Sequence, residues 1–396
     1  MFYYLSFLRP PPLSASLSIS TKGKAAASSI IIIPQIANDL RTEYYDGPPL
    51  DIMYQWIRAS SADALKTSPT KLTSYRAETM YKEIIIPLPK QAKEGDEWIL
   101  MLSAASDTTG EPSGIVDLSA RVHPVPLPVY SMPIQITRSF SPSKQEKLMR
   151  QYIIPSRPCC IRVMEQTSFD LDKKIWDSGI GLSSWLVEII DGQSSVTNTH
   201  ASNLRRLLDP SRCCRVVELG AGTGIVSLVL AALRYSVPVS PSDTGVDSFP
   251  SDPELDSIFT TDLSSAMSLL EQNIALNEHL FSPSRRLRAI VLDWDNSELP
   301  LDIRTVGFDV IIMADVTYNI ASFLALLRTL KSFIQLGAGP NSNAAPLIVL
   351  GYKERHLDER VLWEMARSIG VLFHEVDARP GAGGQPVEIW IGTIFD

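Results

Sequence analysis

The run Val216-Val217-Glu218-Leu219-Gly220-Ala221-Gly222-Thr223-Gly224 carries the strongest chemical signal in this 396-residue sequence. Apolar β-formers precede glycines at every second position, and an apolar helical stretch, Ile225 to Leu233, follows. A strand that turns into a helix on Gly-x-Gly-x-Gly lets backbone approach a ligand closely, since glycine has no Cβ and accepts positive φ. The spacing departs from the Gly-x-Gly-x-x-Gly that seats a dinucleotide pyrophosphate on a helix N-terminus. Glu218, just ahead of the first glycine, would repel a pyrophosphate. It suits a ligand that carries positive charge and hydroxyls.

Open α/β sheets bind ligands outside the carboxyl ends of their strands, which singles out the polar residues at the neighbouring strand ends. The second strand closes on Phe259-Thr260-Thr261-Asp262, where the carboxylate could accept both hydroxyls of a ribose. The third closes on Asp293-Trp294, an acid that could accept from an exocyclic amine beside a ring that could cover an adenine. The fourth closes on Met313-Ala314-Asp315-Val316-Thr317-Tyr318. S-Adenosylmethionine, with its sulfonium, ammonium and ribose, is a ligand of this kind. Each position also has a structural reading. Asp262 could cap the helix beginning at Leu263-Ser264, Trp294 could belong to the core, and Asp315 with Tyr318 could be a cap and a packed aromatic. Four strand ends falling in this order favour the binding reading.

From about residue 155 strands and helices alternate, which predicts a mostly parallel sheet covered on both faces. Strands are expected at 160–165, 215–219, 257–262, 287–292, 308–314, 346–352, 371–377 and 386–394, and helices near 178–190, 223–234, 264–277, 319–335 and 358–369. The last two strands are joined by Arg379 to Pro386, too short for a crossover helix, so they form an antiparallel hairpin at the sheet edge. The fold class is therefore α/β: a Rossmann-like, seven-stranded, mostly parallel sheet with an antiparallel C-terminal hairpin, over residues 151–396. Within it, residues 236–256 are rich in Ser, Pro and Asp and read as a disordered insertion. Ahead of it, residues 41–150 read as an irregular extension, with a helix from Leu50 to Ala59 and short strands at 83–89 and 98–102. Residues 1–40 read as a disordered tail, with a mitochondrial transit peptide as the alternative because they hold basic residues and serines but few acids.

Residues from about 160 onward resemble the seven-β-strand, class I S-adenosylmethionine-dependent methyltransferases, and more narrowly the methyltransferase-like protein lysine methyltransferases. The stretches that carry the resemblance are Ile175-Trp176-Asp177, Glu218 to Gly224, Thr261-Asp262-Leu263, Leu270 to Asn277, Leu292-Asp293-Trp294, Asp315-Val316-Thr317-Tyr318 and Gly351-Tyr352-Lys353-Glu354-Arg355. The glycine turn points to the superfamily; Ile-Trp-Asp and the Asp-x-x-Tyr point to the lysine-modifying group. The resemblance implies S-adenosyl-L-methionine as cofactor, with Trp176, Gly220, Gly222, Asp262, Trp294 and Ala314 lining its site; Glu218, Thr223, Leu263 and Asp293 join them as candidate cofactor-binding residues. It implies that Asp315 and Tyr318 line the channel for the incoming amine and act in catalysis, and that the partner is a protein carrying the target lysine. A small-molecule N- or O-methyltransferase, and a catalytically silent protein keeping the fold for binding, are the alternatives.

Bulk properties narrow the rest. A net charge of −8 argues against a general nucleic-acid binder. No apolar run reaches the roughly 18 residues needed to span a bilayer. The four cysteines fall as Cys159-Cys160 and Cys213-Cys214, a spacing that suits neither zinc nor a redox pair, so no metal is expected. Free thiols fit a reducing compartment, and the expected location is the cytoplasm, with the nucleus as a second compartment and the mitochondrion as the alternative.

Overall fold

The computed structural model describes residues 2–17, 29–59, 65–105, 113–138, 143–157, 159–168, 170–192, 197–235, 256–281, 286–337 and 345–395. They divide into two compact units, the second made of Leu171–Asp396 with Asp117–Arg121 and Ile153–Arg162. Its strands are β1 (Arg215–Leu219), β2 (Ser257–Asp262), β3 (Arg286–Val291), β4 (Val310–Ala314), β5 (Leu347–Tyr352), β6 (Val371–Arg379) and β7 (Val387–Ile394). They form one sheet in the order β3-β2-β1-β4-β5-β7-β6. The neighbours from β3 to β5 run parallel, and β7 runs antiparallel to both β5 and β6. After β3 the chain returns to the other side of β1 and lays down β4 there, so the order reverses between β1 and β4. That reversal is the switch point at which such sheets open a crevice. Register keeps the ends level, because Leu219 lies opposite Thr261 on one side and Met313 on the other.

Helices α1 (Asp177–Asp191), α2 (Thr199–Leu207), α3 (Ile225–Tyr235), α4 (Ser264–Asn277), α5 (Phe323–Gln335) and α6 (Val361–Arg367) cover the sheet. Strand alternation sends Val217 and Leu219 of β1 into a core shared with Phe323, Leu326 and Leu330 of α5. Glu218 points to the opposite face and meets Ser227 of α3. Every residue of α3 is buried, as a largely apolar sequence requires, and its Ser227 and Arg234 are paired with Glu218 and Asp256. Close approach of α1 to the sheet depends on missing side chains: a Cβ on Gly181 would lie 2.8 Å from Val387, and one on Gly351 would lie 3.1 Å from Leu182.

Several sequence expectations need correction. Helix α2 was not anticipated, although Asn198 caps it by accepting from the N–H groups of His200 and Ala201. Helices α5 and α6 start later than expected, each behind a 3-10 turn, Ile320–Ser322 and Leu357–Arg360. The strand expected at 160–165 exists as Cys160–Gln166, but it lies beside Lys147–Ile153 at the edge of a different sheet. The first unit accordingly extends past the expected boundary at 150, taking in Val163–Asp170. Apart from Asp256, the insertion expected at 236–256 lies outside the described residues.

The first unit is built of strands, not of a disordered tail and an irregular extension. Within the range expected to be disordered, Tyr4–Arg9 pairs antiparallel with Ser29–Ala37, which pairs in turn with Ile84–Pro87. Leu50–Arg58, expected as a helix, is a strand between Thr70–Tyr75 and Glu97–Ala104. Its buried residues Ile52 and Trp56 stand four apart, a spacing common to one turn of helix and two periods of strand. Leu5, Ile32, Ile36, Trp56, Trp98, Leu100 and Ile136 belong to the core of this unit. Among the described residues no helix is long and apolar enough to cross a membrane, and no three His, Cys, Asp or Glu side chains cluster to hold a metal ion.

Candidate functional site

Beyond the carboxyl ends of β1, β2 and β4 lies a cleft of about 230 Å³. Trp176, Glu218, Gly220, Gly222, Thr223, Asp262, Leu263, Asp293, Trp294, Ala314, Asp315 and Tyr318, the residues singled out in the sequence, all border it. The turn after β1 explains how backbone reaches the cleft. Gly220, Gly222 and Gly224 all take positive φ, at 67°, 56° and 79°. A Cβ on Gly220 would lie 2.9 Å from Val316 Cγ1 and 3.3 Å from Trp294 Cζ2, so a side chain there would push Val316 aside and crowd the indole.

Asp262 ties this turn to β2. Its Oδ2 accepts from the Gly222 N–H at 2.6 Å and its Oδ1 from the Leu263 N–H at 2.7 Å. A carboxylate has about four acceptor sites, so each oxygen retains capacity for a hydroxyl donor. Burial pushes the Asp262 carboxyl up, against the pull of those two N–H groups, and Asp172 adds to the rise. Glu218 sits deeper, 2% exposed. Its Oε2 accepts from the Ser227 N–H at 3.2 Å, from the Ser227 hydroxyl, and from the Thr260 hydroxyl at 3.2 Å. Burial nonetheless pushes its carboxyl up to about 7. Asp293 folds into a turn, its Oδ1 accepting from the Asp295 N–H at 3.0 Å, and Arg328 of α5 donates to the Trp294 carbonyl at 2.9 Å. That contact fixes the main chain beneath the indole.

Asp315 follows β4 with φ 58°, a left-handed conformation that a non-glycine residue adopts at a cost. Its N–H donates to the Gly351 carbonyl at 3.0 Å, and its Oδ2 accepts from Arg355 at 2.6 Å. Tyr318 is 57% exposed at the cleft mouth. Its hydroxyl is pushed up by burial first and then by Asp262, Asp172 and Asp315. The carboxylates on the lining (Asp172, Glu218, Asp262, Asp293, Asp295 and Asp315) face a single ammonium among the described residues, Lys174.

Two of the sequence motifs interlock. Trp176 borders the cleft with its indole N–H donating to the Leu171 carbonyl at 2.9 Å. Asp177 is fully buried and accepts at Oδ2 from Lys353 at 2.7 Å and from the Ala382 N–H at 2.6 Å. Lys353 and Arg355 stand two apart after β5, and the Arg355 guanidinium lies 5.5 Å from the Trp176 ring centroid. Ile-Trp-Asp therefore supplies a wall and an anchor, and the loop after β5 grips both. Arg355 as the partner of Asp315, and Asp172 as a further lining acid, were missed in the sequence. Asp172 has a weak signal, being an acid four residues ahead of Trp176. Arg355 lies in the Gly351 to Arg355 stretch that carries the resemblance, but only the fold brings residues 315 and 355 together.

Residues 157–368 match the profile of the lysine methyltransferase family. The chain belongs to that family. Its curated relatives include a UPF0665 family protein of Schizosaccharomyces pombe, C23C4.06c, 25% identical over 197 residues, which are 50% of this chain and 47% of that protein. They also include the protein-lysine N-methyltransferase EFM2 of Saccharomyces cerevisiae, 27% identical over 47% of this chain and 40% of its own. A third is the protein N-lysine methyltransferase METTL21A of Danio rerio, 30% identical over 40% of this chain and 58% of its own. The chain thus spans about half the length of the curated relatives it matches. Among solved structures, the O-methyltransferase TomG of Streptomyces achromogenes, in complex with SAM, gives a TM-score of 0.30 at 14% identity over 54% of this chain and 90% of that one.

The cleft of this family member fits S-adenosylmethionine on its own geometry. The missing Cβ at Gly220 lets Val316 and the Trp294 indole, which can cover a base, close against the turn that borders the cleft. Asp262 keeps acceptor capacity suited to ribose hydroxyls. The excess of carboxylates on the lining favours a sulfonium and an ammonium.

Proposed function

We propose that this chain transfers methyl groups from S-adenosylmethionine to the ε-amine of a lysine in a protein substrate. The carrying observation is that the glycine turn, Asp262 and Trp294 share one cleft with Asp315 and Tyr318. When bound, the cofactor supplies an electrophilic methyl, its C–S bond breaking as the N–C bond forms and the electron pair staying on sulfur.

The residues of the chain supply position and desolvation. Asp262 and Trp294 hold the nucleoside, and the backbone of Gly220 and Gly222 lies open to the amino-acid portion. Tyr318 packs against the lysine stem, and the Asp315 carboxylate accepts a hydrogen bond from the entering nitrogen. Free lysine has a pKa of about 10.4, and only the neutral amine has a lone pair to give. Burial beside a positive sulfur favours loss of the extra proton to water before attack. Much of the acceleration then comes from alignment, and no histidine base is required.

Two measurements test this reading. Calorimetry should show S-adenosylmethionine binding to the purified protein. Incubation with labelled cofactor and cell lysate should place label in a protein band that is absent with Asp315→Asn. Label confined to small molecules would overturn the protein-substrate reading. The cytoplasm and nucleus are the proposed compartments, supported by four cysteines that form no disulfide; fluorescence of a tagged chain in mitochondria would refute this.

A further inference from the structure

We propose that Arg355 balances the charge of Asp315, so that the amine site takes up a neutral amine in preference to an ammonium. The inference rests on the methyl-transfer reading and adds a positioning residue to it. A bare carboxylate facing the entering lysine would stabilise the ammonium, the form that cannot attack. Drawing the substrate in and readying it for attack would then oppose each other. The structure resolves the conflict by placing a guanidinium on the same carboxylate.

The pair is well fixed. Arg355 donates to Asp315 Oδ2 at 2.6 Å, and the two side chains are 13% and 7% exposed. The Arg355 main-chain N–H donates to Glu359 Oε2 at 3.2 Å, and its guanidinium packs over Trp176. Asp315 is held in its left-handed conformation with its own N–H on Gly351. Arg355 is not part of the cleft lining, whereas Asp315 is. The carboxylate therefore borders the cleft while the guanidinium holds its Oδ2.

Among the described residues, Tyr318 and Glu359 are ionisable groups that feel the Asp315 charge. Tyr318 is pushed up and stays neutral at ordinary pH. Burial also pushes the Glu359 carboxyl up, toward its uncharged form. Arg355 is thus the group that offsets the Asp315 charge. The second cation of the same loop, Lys353, is committed to Asp177. In the transfer itself, the extra proton of the lysine leaves to water, the nitrogen lone pair forms the N–C bond, and Asp315 keeps its charge throughout.

The test uses the full chain saturated with S-adenosylhomocysteine and titrated at pH 7.5 with n-butylammonium, which mimics the lysine side chain. Arg355→Met keeps an unbranched stem over Trp176 and removes the charge. It should bind n-butylammonium about tenfold more tightly than the unaltered protein. Arg355→Lys should restore affinity to within about twofold of the unaltered protein, since the charge returns. Arg355→Gln keeps a hydrogen bond to Asp315 without the charge, and it replaces the Met variant if that one does not fold. A purely structural role for Arg355 predicts weaker binding, the opposite sign. Equal or weaker n-butylammonium binding by the uncharged variants, with S-adenosylhomocysteine still retained, overturns the proposal. Failure of the unaltered protein to retain S-adenosylhomocysteine would instead overturn the methyl-transfer reading itself.

Discussion

Replacing Glu218 with glutamine should flatten the dependence of stability on pH, and the structure fixes both the sign and the size. Glu218 is buried at the end of β1 against Ser227 and Thr260, and its carboxyl is pushed from 4.5 to about 7. Between those values the folded protein holds a proton that the unfolded chain has released. Stability must then fall as pH rises, the reverse of an ordinary salt-bridged carboxylate. The contribution is intact below the unfolded value of 4.5 and lost once pH passes about 7. A shift of this size corresponds to about 3 kcal/mol over the interval.

Glutamine has no charge to desolvate, so Glu218→Gln should show none of that loss. Its amide oxygen can accept from Ser227 and Thr260 as Oε2 of the carboxylate does, and its NH₂ group takes the place of Oε1. Urea unfolding of the two proteins at pH 5, 6, 7 and 8 gives the quantity wanted. The difference in stability between them should move by about 3 kcal/mol in favour of the variant across that range. Titrations elsewhere cancel in the difference, including any in the first unit. A difference that stays constant with pH would show that Glu218 ionises like an exposed acid, and the account of its burial would be wrong. A cationic ligand in the cleft should favour the ionised form. Cofactor binding near pH 6 should therefore release more protons in the unaltered protein than in the variant, visible as buffer-dependent heats.

Asp315→Asn is the cleaner probe of the amine site than alanine, because asparagine tolerates the left-handed φ of 58°; methylation should fall by about a hundredfold or more while cofactor affinity stays within a few-fold by calorimetry. Asp262→Ala removes the acceptor of the Gly222 and Leu263 N–H groups, and calorimetry should show cofactor affinity weakened by about tenfold or more. Lys353→Met leaves Asp177 buried without its cation, and urea unfolding should show a loss of about 3–5 kcal/mol; an unchanged midpoint would mean that the Ala382 N–H satisfies Asp177 alone.

The site was legible because each piece of it sits next to a local signal. Gly220 and Gly222 announce themselves by spacing, and Asp262, Asp293 and Asp315 each end an apolar run. Such a run is a strand whichever neighbour it pairs with, and the carboxyl-end rule then gathers the acids without knowledge of the sheet order. Pairing itself carries no such local mark. Cys160–Gln166 reads correctly as a strand, yet nothing in its residues says that it joins Lys147–Ile153 and not β1. The first unit was lost for the same reason. Ser14–Ser16 pairs with Gln135–Thr137 across more than a hundred residues, so no turn residue lies between the partners to announce a hairpin.

The same distinction explains why Asp315 was found and its partner was not. An acid at a strand end is a feature of one segment, whereas an ion pair is a feature of two. Arg355 lies in a loop after β5, and only the parallel pairing of β4 with β5, which sets Ala314 opposite Gly351, brings it level with Asp315. Reading Asp315 from the sequence alone leaves a naked anion waiting for an ammonium. Adding Arg355 changes its chemistry from charge attraction to hydrogen-bond acceptance, with the cation held on the carboxylate. The residue that carries the family signature is therefore legible locally, and the residue that sets how it acts becomes visible only through the fold.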